Sequence, residues 1–345
     1  MKRRGRYTMA YMRLTRREFH RMTAMAGMSL IGGARRGPGA AGSPVALVKT
    51  GNRHYGIHRA VELLGGDDFG GRDVYLKASY NSADPFPAST HPEALRALAG
   101  VLFRFGARRV TLVERSGMGR TRAVLRRAGA LGLIRELGLG FLPLEEGGGA
   151  DWRRVELPGS HWSRGVEIPA FLDDEACVVQ LCNLKTHRFG GGYSASLKNS
   201  VGLLAKTSPE DGYNYMVELH ASPDQCLMIA EANQAYIPRL VVMDAGAVFV
   251  SGGPEAGEEA HPGVVAASAD RVALDAVGLA ILQASGAWIP GTQKGIFMQG
   301  QVARAAELGL GARSPAEIRL VTGDAPSAAY ASRLERLLLQ SAESR

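Results

Sequence analysis

The sequence predicts an α/β fold, a mainly parallel, doubly wound sheet with helices on both faces. Three observations predict it. Short apolar runs of strand type alternate with segments of helical spacing almost throughout the chain. Polar, often glycine-bearing loops follow the strand-type runs, at the end of a parallel sheet where ligands bind. At 345 residues, 46% apolar and 7% aromatic, the chain can bury one large or two ordinary cores, and its composition is not that of a disordered protein. No internal repeat or long low-complexity linker interrupts the pattern.

Taken in order, residues 45–49 (VALVK) form a short apolar strand, and 57–64 has helical spacing up to the stop at Gly65-Gly66. A second strand over 74–78 (VYLKA) leads to a loop with Asn81, Asp84, Pro85 and Pro87. Pro92, after Thr90-His91, stands where a first helical residue belongs, and that helix reaches about Phe105 before Gly106 ends it. The third strand, 110–113 (VTLV), runs into the polar loop Glu114-Arg115-Ser116-Gly117-Met118-Gly119 and a helix over 120–128. A helix and strand cover 131–144. The segment 145–170, with its glycines, Trp152 and Trp162, is poorly patterned and is expected to be a β excursion or a lid.

The stretch 177–206 (CVVQLCNLKTHRFGGGYSASLKNSVGLLAK) concentrates the reactive side chains. It reads as a strand, a polar turn with Lys185, Thr186 and His187, a triple glycine, and a helix-like segment with Lys198 and Asn199. Beyond it come a helix from near Pro223 to Tyr236, a strand over 240–243 ending in Asp244, and the loop Ser251-Gly252-Gly253-Pro254. A strand over 264–267, a helix over 270–284 with Asp270 as its N-cap, a strand over 318–321 and an amphipathic helix over 327–340 complete the pattern. The expected organisation is a leader (1–42), a body (43–323) and a C-terminal helix (324–345). The body is one unit or two lobes, 43–150 and 171–323, joined by the irregular segment 145–170.

The net charge of +8 belongs to the leader. Residues 1–36 hold ten Lys and Arg against Glu18 alone, which is +9, so the remainder carries −1. A near-neutral body gives no reason to expect nucleic-acid binding. Arg16-Arg17 ahead of the short apolar run 22–34 resembles a twin-arginine export signal, which implies the twin-arginine translocase as a partner and a periplasmic or extracytoplasmic location. That run is too short to span a bilayer. The three cysteines, Cys177, Cys182 and Cys226, form no CxxC pair, so this chain alone builds no typical iron-sulfur or structural zinc framework, and Cys177 and Cys182 read as packing residues.

Four polar loops are expected at the carboxyl ends of the strands: from Lys77 onward, 114–120, 183–192 and 244–254. His187 can be a general base or a metal ligand near neutral pH, and Lys198 can hold an anion or act as a nucleophile if its pKa is depressed. The glycines between them allow the loop to fold back so that both face one cavity. With Lys185 they suggest an anionic ligand, a carboxylate or a phosphate. Asp244 can be a base, a metal ligand, an orienter of His187 or a simple strand-end turn residue. Asp275, set among apolar helix residues, is either exposed or a buried partner for a lysine; Glu114 and Ser116 carry the same ambiguity. The Gly252-Gly253-Pro254 loop is a weak phosphate signal without a P-loop lysine. His54, His58, His161 and His220 show no metal-ligand spacing.

From about residue 45 to 286 these features resemble the domain of unknown function 362 family. The resemblance is carried by Leu76-Lys77, Thr90-His91-Pro92-Glu93, Glu114-Arg115-Ser116-Gly117 and, above all, Leu184-Lys185-Thr186-His187 followed by Leu197-Lys198-Asn199 and Gly202. Asp244, Gly253-Pro254, Ser268-Ala269-Asp270 and Asp275 extend it. The candidate site is therefore His187, Lys198 and Asp244 as catalytic residues, with Lys77, Glu114, Ser116, Lys185, Thr186, Asn199, Gly253 and Asp275 binding substrate or cofactor. The chain departs from the family pattern at Lys77-Ala78-Ser79 in place of Lys-Pro-Asn, at Val250-Ser251 where an acid is usual, and in a glycine loop one residue longer. More distantly, a His, a glycine loop and a Lys are similar to the catalytic domain of the nickel-pincer lactate racemases. That similarity implies an acid-base role for His187 and a cofactor-holding role for Lys198, and a metal or covalently held cofactor, although that family's metal-ligand histidine has no clear match here.

Together these readings imply an exported enzyme doing acid-base or cofactor-assisted chemistry on a small anionic substrate. The alternatives are a non-catalytic exported anion-binding or accessory protein, and a redox accessory protein that needs a partner subunit.

Overall fold

The structure is a computed structural model that describes residues 42–66, 68–145 and 150–340. The twin-arginine motif and the apolar run after it lie outside the described residues. In chain order the first elements are β1 (Ser43–Lys49), α1 (Arg53–Leu63), β2 (Asp73–Lys77), α2 (Pro92–Arg104), β3 (Arg109–Glu114), α3 (Thr121–Arg127), α4 (Ala130–Glu136) and β4 (Gly140–Pro143). Then come β5 (Trp152–Val155), β6 (Val166–Pro169), β7 (Cys177–Asn183), β8 (Lys185–Thr186), β9 (Tyr193–Ser194), α5 (Ser196–Asn199), α6 (Tyr215–Ala221) and α7 (Gln225–Ala232). The last are β10 (Leu240–Ala245), β11 (Val248–Gly252), β12 (Gly257–Ala260), β13 (Val264–Ser268), α8 (Arg271–Ala284), α9 (Gly300–Glu307), β14 (Ile318–Val321) and α10 (Ala325–Leu339).

Eight strands share one sheet in the order β14-β1-β13-β10-β7-β2-β3-β4. Strands from 43–150 and from 171–323 thus lie side by side in a single sheet, with β7 parallel to β2. Every pairing is parallel except those of β13, which runs antiparallel to both β1 and β10. The chain between β10 and β13 explains the exception: it holds the β11–β12 hairpin instead of a crossover helix, and only a crossover returns a strand parallel to its predecessor.

Side-chain alternation along the central strands builds two cores. Val45, Leu47, Val178, Cys182, Val241 and Met243 face one, while Ala46, Val48, Val179, Leu181 and Val242 face the other. Helices α7, α8 and α10 close the first face, and α1, α2, α3 and α4 close the second, which is the doubly wound arrangement the alternating pattern predicts. Because both faces are covered, β7, β10 and β13 are buried along their whole length. Cys177 and Cys182, five positions apart, point to opposite faces and act as packing residues.

Local signals fix the helix ends near the site. Asp270 caps α8, accepting a bond from the Ala273 amide at 2.9 Å, as its position predicts. The described part of 145–170 is a β excursion, β5 paired antiparallel with β6. Trp162 anchors it, donating from its indole nitrogen to the Met228 carbonyl at 2.9 Å. Among the described residues no helix is long and apolar enough to cross a membrane.

Candidate functional site

Strands β10, β7, β2 and β3 are parallel neighbours, so their carboxyl ends open on one edge of the sheet. Asp244, Asn183, Lys77 and Glu114 stand at those ends. The candidate residues there fall into groups with different electrostatics.

Lys77 and Glu114 form a buried ion pair, with Nζ 2.7 Å from Oε1 and side chains 3% and 1% exposed. Burial dominates both, pushing the lysine pKa down and the glutamate pKa up, while each charge holds the other against that trend. Lys77 Nζ also donates to Asn199 Oδ1 at 3.2 Å and to the Ala78 carbonyl. Glu114 accepts the Tyr80 and Arg115 amides at 3.1 and 3.0 Å. From Asn199 the network continues through Gln180 to Ser200 and Tyr236, and then to Asn233 and Arg271. Gly202 makes room for the pair, since a Cβ there would lie 2.5 Å from Lys77 Cε and 2.8 Å from its Nζ.

The second group is Lys185, His187 and Lys198. Lys185 is 4% exposed, and among the described residues its ammonium has only the Pro87 and Ala88 carbonyls as acceptors, at 3.1 and 2.5 Å. Lys198, half-buried, donates to the Phe189 carbonyl at 3.0 Å. Among the described residues neither lysine has a carboxylate partner. Burial, with the like charge of Lys185, lowers Lys198 to about 7; burial, with the like charge of Lys77, lowers Lys185 to about 7. His187 is pushed down to about 2 by burial and then by Lys198 and Lys185, so its ring is neutral. Its Nδ1 accepts the Phe189 amide at 3.1 Å, which places the proton of the neutral ring on Nε2.

The triple glycine brings these groups together. Gly190, Gly191 and Gly192 all adopt left-handed backbone, with φ of +67°, +92° and +87°, and fold the loop back over Lys198. A Cβ on Gly190 would lie 2.5 Å from Lys198 Nζ. Gln301 and Gln299 pin the loop by donating to the Gly190 and Gly191 carbonyls at 2.7 and 2.8 Å.

Asp244 belongs elsewhere. Its buried carboxylate pairs with Arg53, Nε to Oδ2 at 2.9 Å, and accepts the Gly246 amide at 2.8 Å; it makes no hydrogen bond to His187. Asp275 is buried, but its partners are the start of α5 and not a lysine. It accepts the Ser196 amide and hydroxyl at 2.8 and 2.5 Å and the Tyr193 hydroxyl at 3.0 Å. Burial raises it to about 6, against those donors. It thereby caps the short helix that carries Lys198 and Asn199. The Ser116 hydroxyl donates to the Tyr80 carbonyl at 2.6 Å and ties two loops. Thr186 Oγ1 is buried without a partner. Gly253 packs its Cα directly against the Thr186 carbonyl, leaving no room for a side chain.

Sequence reasoning did not single out Arg53, Gln180, Ser200, Asn233, Tyr236 or Arg271. Gln180 alone carried a readable signal, a polar residue in the middle of the apolar run CVVQLC. Among the described residues no three His, Cys, Asp or Glu side chains are grouped to hold a metal ion. A carbonyl-lined, lysine-rich group of this kind could instead hold an anionic cofactor or substrate.

No curated protein matches the chain. Among solved structures it is similar to the lactate racemase apoprotein from Thermoanaerobacterium thermosaccharolyticum, at 15% identity and a TM-score of 0.41 over 68% of this chain. The match spans about half of that protein, 55% of its length. The family model described as domain of unknown function (DUF362) matches residues 74–280, which include most of β2, the triple-glycine loop and most of α8. The chain belongs to the domain of unknown function 362 family.

Proposed function

We propose that the protein is a small-molecule enzyme that moves a proton on a small anionic substrate, a carboxylate or phosphate, at the group formed by Lys185, His187 and Lys198. The observation that carries this reading is that two lysines, poorly solvated and without a carboxylate partner, flank a neutral histidine. An anion bound between them would supply the missing countercharge and raise both lysine pKa values. Lys185, fixed by two carbonyls, holds the anion. Lys198, whose pKa is about 7 before the anion arrives, takes up a proton as the anion binds and exchanges it with the substrate. His187 donates from Nε2 to the oxygen on which charge develops. Asp275 and Asn199 hold the short helix beneath Lys198. From the Arg16-Arg17 leader we further propose export by the twin-arginine route, with the translocase as partner.

The test is solvent exchange. The full chain would be incubated in D2O with a panel of 2-hydroxy acids, 2-oxo acids, amino acids and phosphate monoesters, and deuterium at substrate carbon read by mass spectrometry. Exchange that disappears in His187→Ala while the melting temperature is unchanged supports the reading, because His187 is a half-buried loop residue with little packing to lose. Anion binding without exchange on any of these substrates would instead make the protein a non-catalytic binder.

A further inference from the structure

Beside the 86–88 loop lies a cleft of about 700 Å³, at the carboxyl ends of β1 and β10 and the start of α1 and α2. Phe86 lines this cleft, while the carbonyls of Pro87 and Ala88, next in the chain, take the Lys185 ammonium. Three side chains organise the cleft. Arg53 spends Nε on Asp244 and lays its guanidinium over the Phe86 ring, 4.4 Å from the centroid. The Phe86 and His91 rings meet edge to face at 5.6 Å. Among the described residues neither Nη nitrogen of Arg53 has an acceptor. His91 accepts the Glu93 amide on Nδ1 at 3.1 Å, and burial and then the Arg53 charge hold its pKa below the usual range, so the ring is neutral and carries its proton on Nε2.

The result is a fixed set of donors facing open volume. The first turn of α1 carries no acidic residue, so its amide dipoles reinforce the same polarity. The acids lining the cleft, Asp84 and Glu259, form no ion pair with Arg53. We propose that this cleft binds a small organic carboxylate, its two oxygens on the Nη edge of Arg53 and within reach of His91 Nε2. A planar fork of two N–H donors fits a carboxylate in both geometry and number. Asp244 already offsets the Arg53 charge, so the site suits one negative charge and not a phosphate dianion. The volume beyond the guanidinium accommodates an organic body of drug-like size or smaller. This site shares no residue with the Lys185, His187 and Lys198 group and does not depend on the function proposed for it.

Benzoate, titrated calorimetrically into the full chain, is a suitable probe. Gly246→Ala tests the geometry with both charges kept, because the new methyl would lie 2.9 Å from Arg53 Nη2 and 3.0 Å from Asp244 Oδ1, and Gly246 needs no left-handed backbone. Loss of the guanidinium contact is expected to weaken benzoate roughly tenfold or more in Gly246→Ala. Arg53→Met should abolish binding, and Gly246→Ala covers the case in which Arg53→Met, with Asp244 unpaired, fails to fold. Binding that survives Gly246→Ala but disappears in Lys198→Met would place the anion in the lysine group and overturn the proposal. Displacement of benzoate by inorganic phosphate at equal concentration, or no benzoate binding by the folded wild-type chain, would overturn it as well.

Discussion

Lys77 and Lys185 stand on the same edge of the same sheet, one at the end of β2 and the other just past β7, and both are almost completely buried at 2% and 4% exposure. Their partners differ. Lys77 faces a carboxylate at 2.7 Å and belongs to a hydrogen-bonded network that reaches Arg271; Lys185 has two peptide carbonyls and, among the described residues, no countercharge. Burial disfavours the charged form of both equally in kind, so the partner decides what each does. Lys77, with its counter-ion in place, braces the fold. Lys185, without one among the described residues, is the cation to which the proposed function assigns an anion.

The largest expected effect comes from turning the first environment into the second. Glu114→Gln keeps the shape and most of the hydrogen-bonding capacity but strands Lys77 as an unpaired buried cation. Removing one partner of a buried pair costs about 3–5 kcal/mol, which urea denaturation near pH 7 would resolve easily. A loss below about 1 kcal/mol would mean that Lys77 finds another partner or sheds its proton at little cost, and would erase the distinction between the two lysines.

A smaller effect tests whether the pair is held in place by shape. Gly202→Ala sets a methyl group 2.5 Å from Lys77 Cε and 3.3 Å from Glu114 Oε1. A free lysine would swing away. This one is pinned by Glu114 and Asn199, so the strain should amount to about 1–3 kcal/mol. Additive losses in the Gly202→Ala and Glu114→Gln double variant would show that the methyl clashes with something other than the ion pair.

How much of this was legible in the sequence depends on which physical signal each residue sends. The fold was legible because strand and helix periods are local, and the clean alternation of Val45 to Val48 and of Val178 to Cys182 between two cores follows from it. The reversal of β13 was not, because its cause is the length and hairpin character of the β11–β12 connection, which the Gly252-Gly253-Pro254 turn announces without fixing strand direction. At the candidate site, chemistry-bearing residue types close together in the chain singled out Lys185, His187 and Lys198 as candidates. Pairings across the fold stayed hidden: Arg53 lies 191 positions from Asp244, and Asp275 lies 79 from Ser196. Asp244 and Asp275 were readable as candidates and not as bound to Arg53 and to the start of α5, since no local pattern encodes a partner so distant in the chain.

The smallest loss of stability should come from Lys185→Met, and its sign is what sharpens the comparison. Deleting an unpaired buried cation in favour of an apolar side chain of similar length should leave stability near pH 7 unchanged within about 1 kcal/mol, or raise it, in contrast to Glu114→Gln. The pH dependence carries the stronger information. In the folded protein Lys185 titrates at about 7, against 10.5 as its ordinary value, so between those limits the unfolded chain binds more protons than the native one. Stability of the wild-type protein should therefore climb as pH rises from about 7 toward 10, and fall back as pH drops to 7. Lys185→Met should flatten that climb, leaving the share that belongs to Lys198. Anion affinity should move the opposite way, weakening above about pH 7 as the lysines lose their charge. Urea denaturation at several pH values measures the first trend and calorimetric anion titration the second. A stability slope that Lys185→Met leaves untouched would mean that this lysine keeps its proton in the folded state through an undetected countercharge, and would move it from the binding class to the bracing class that Lys77 defines.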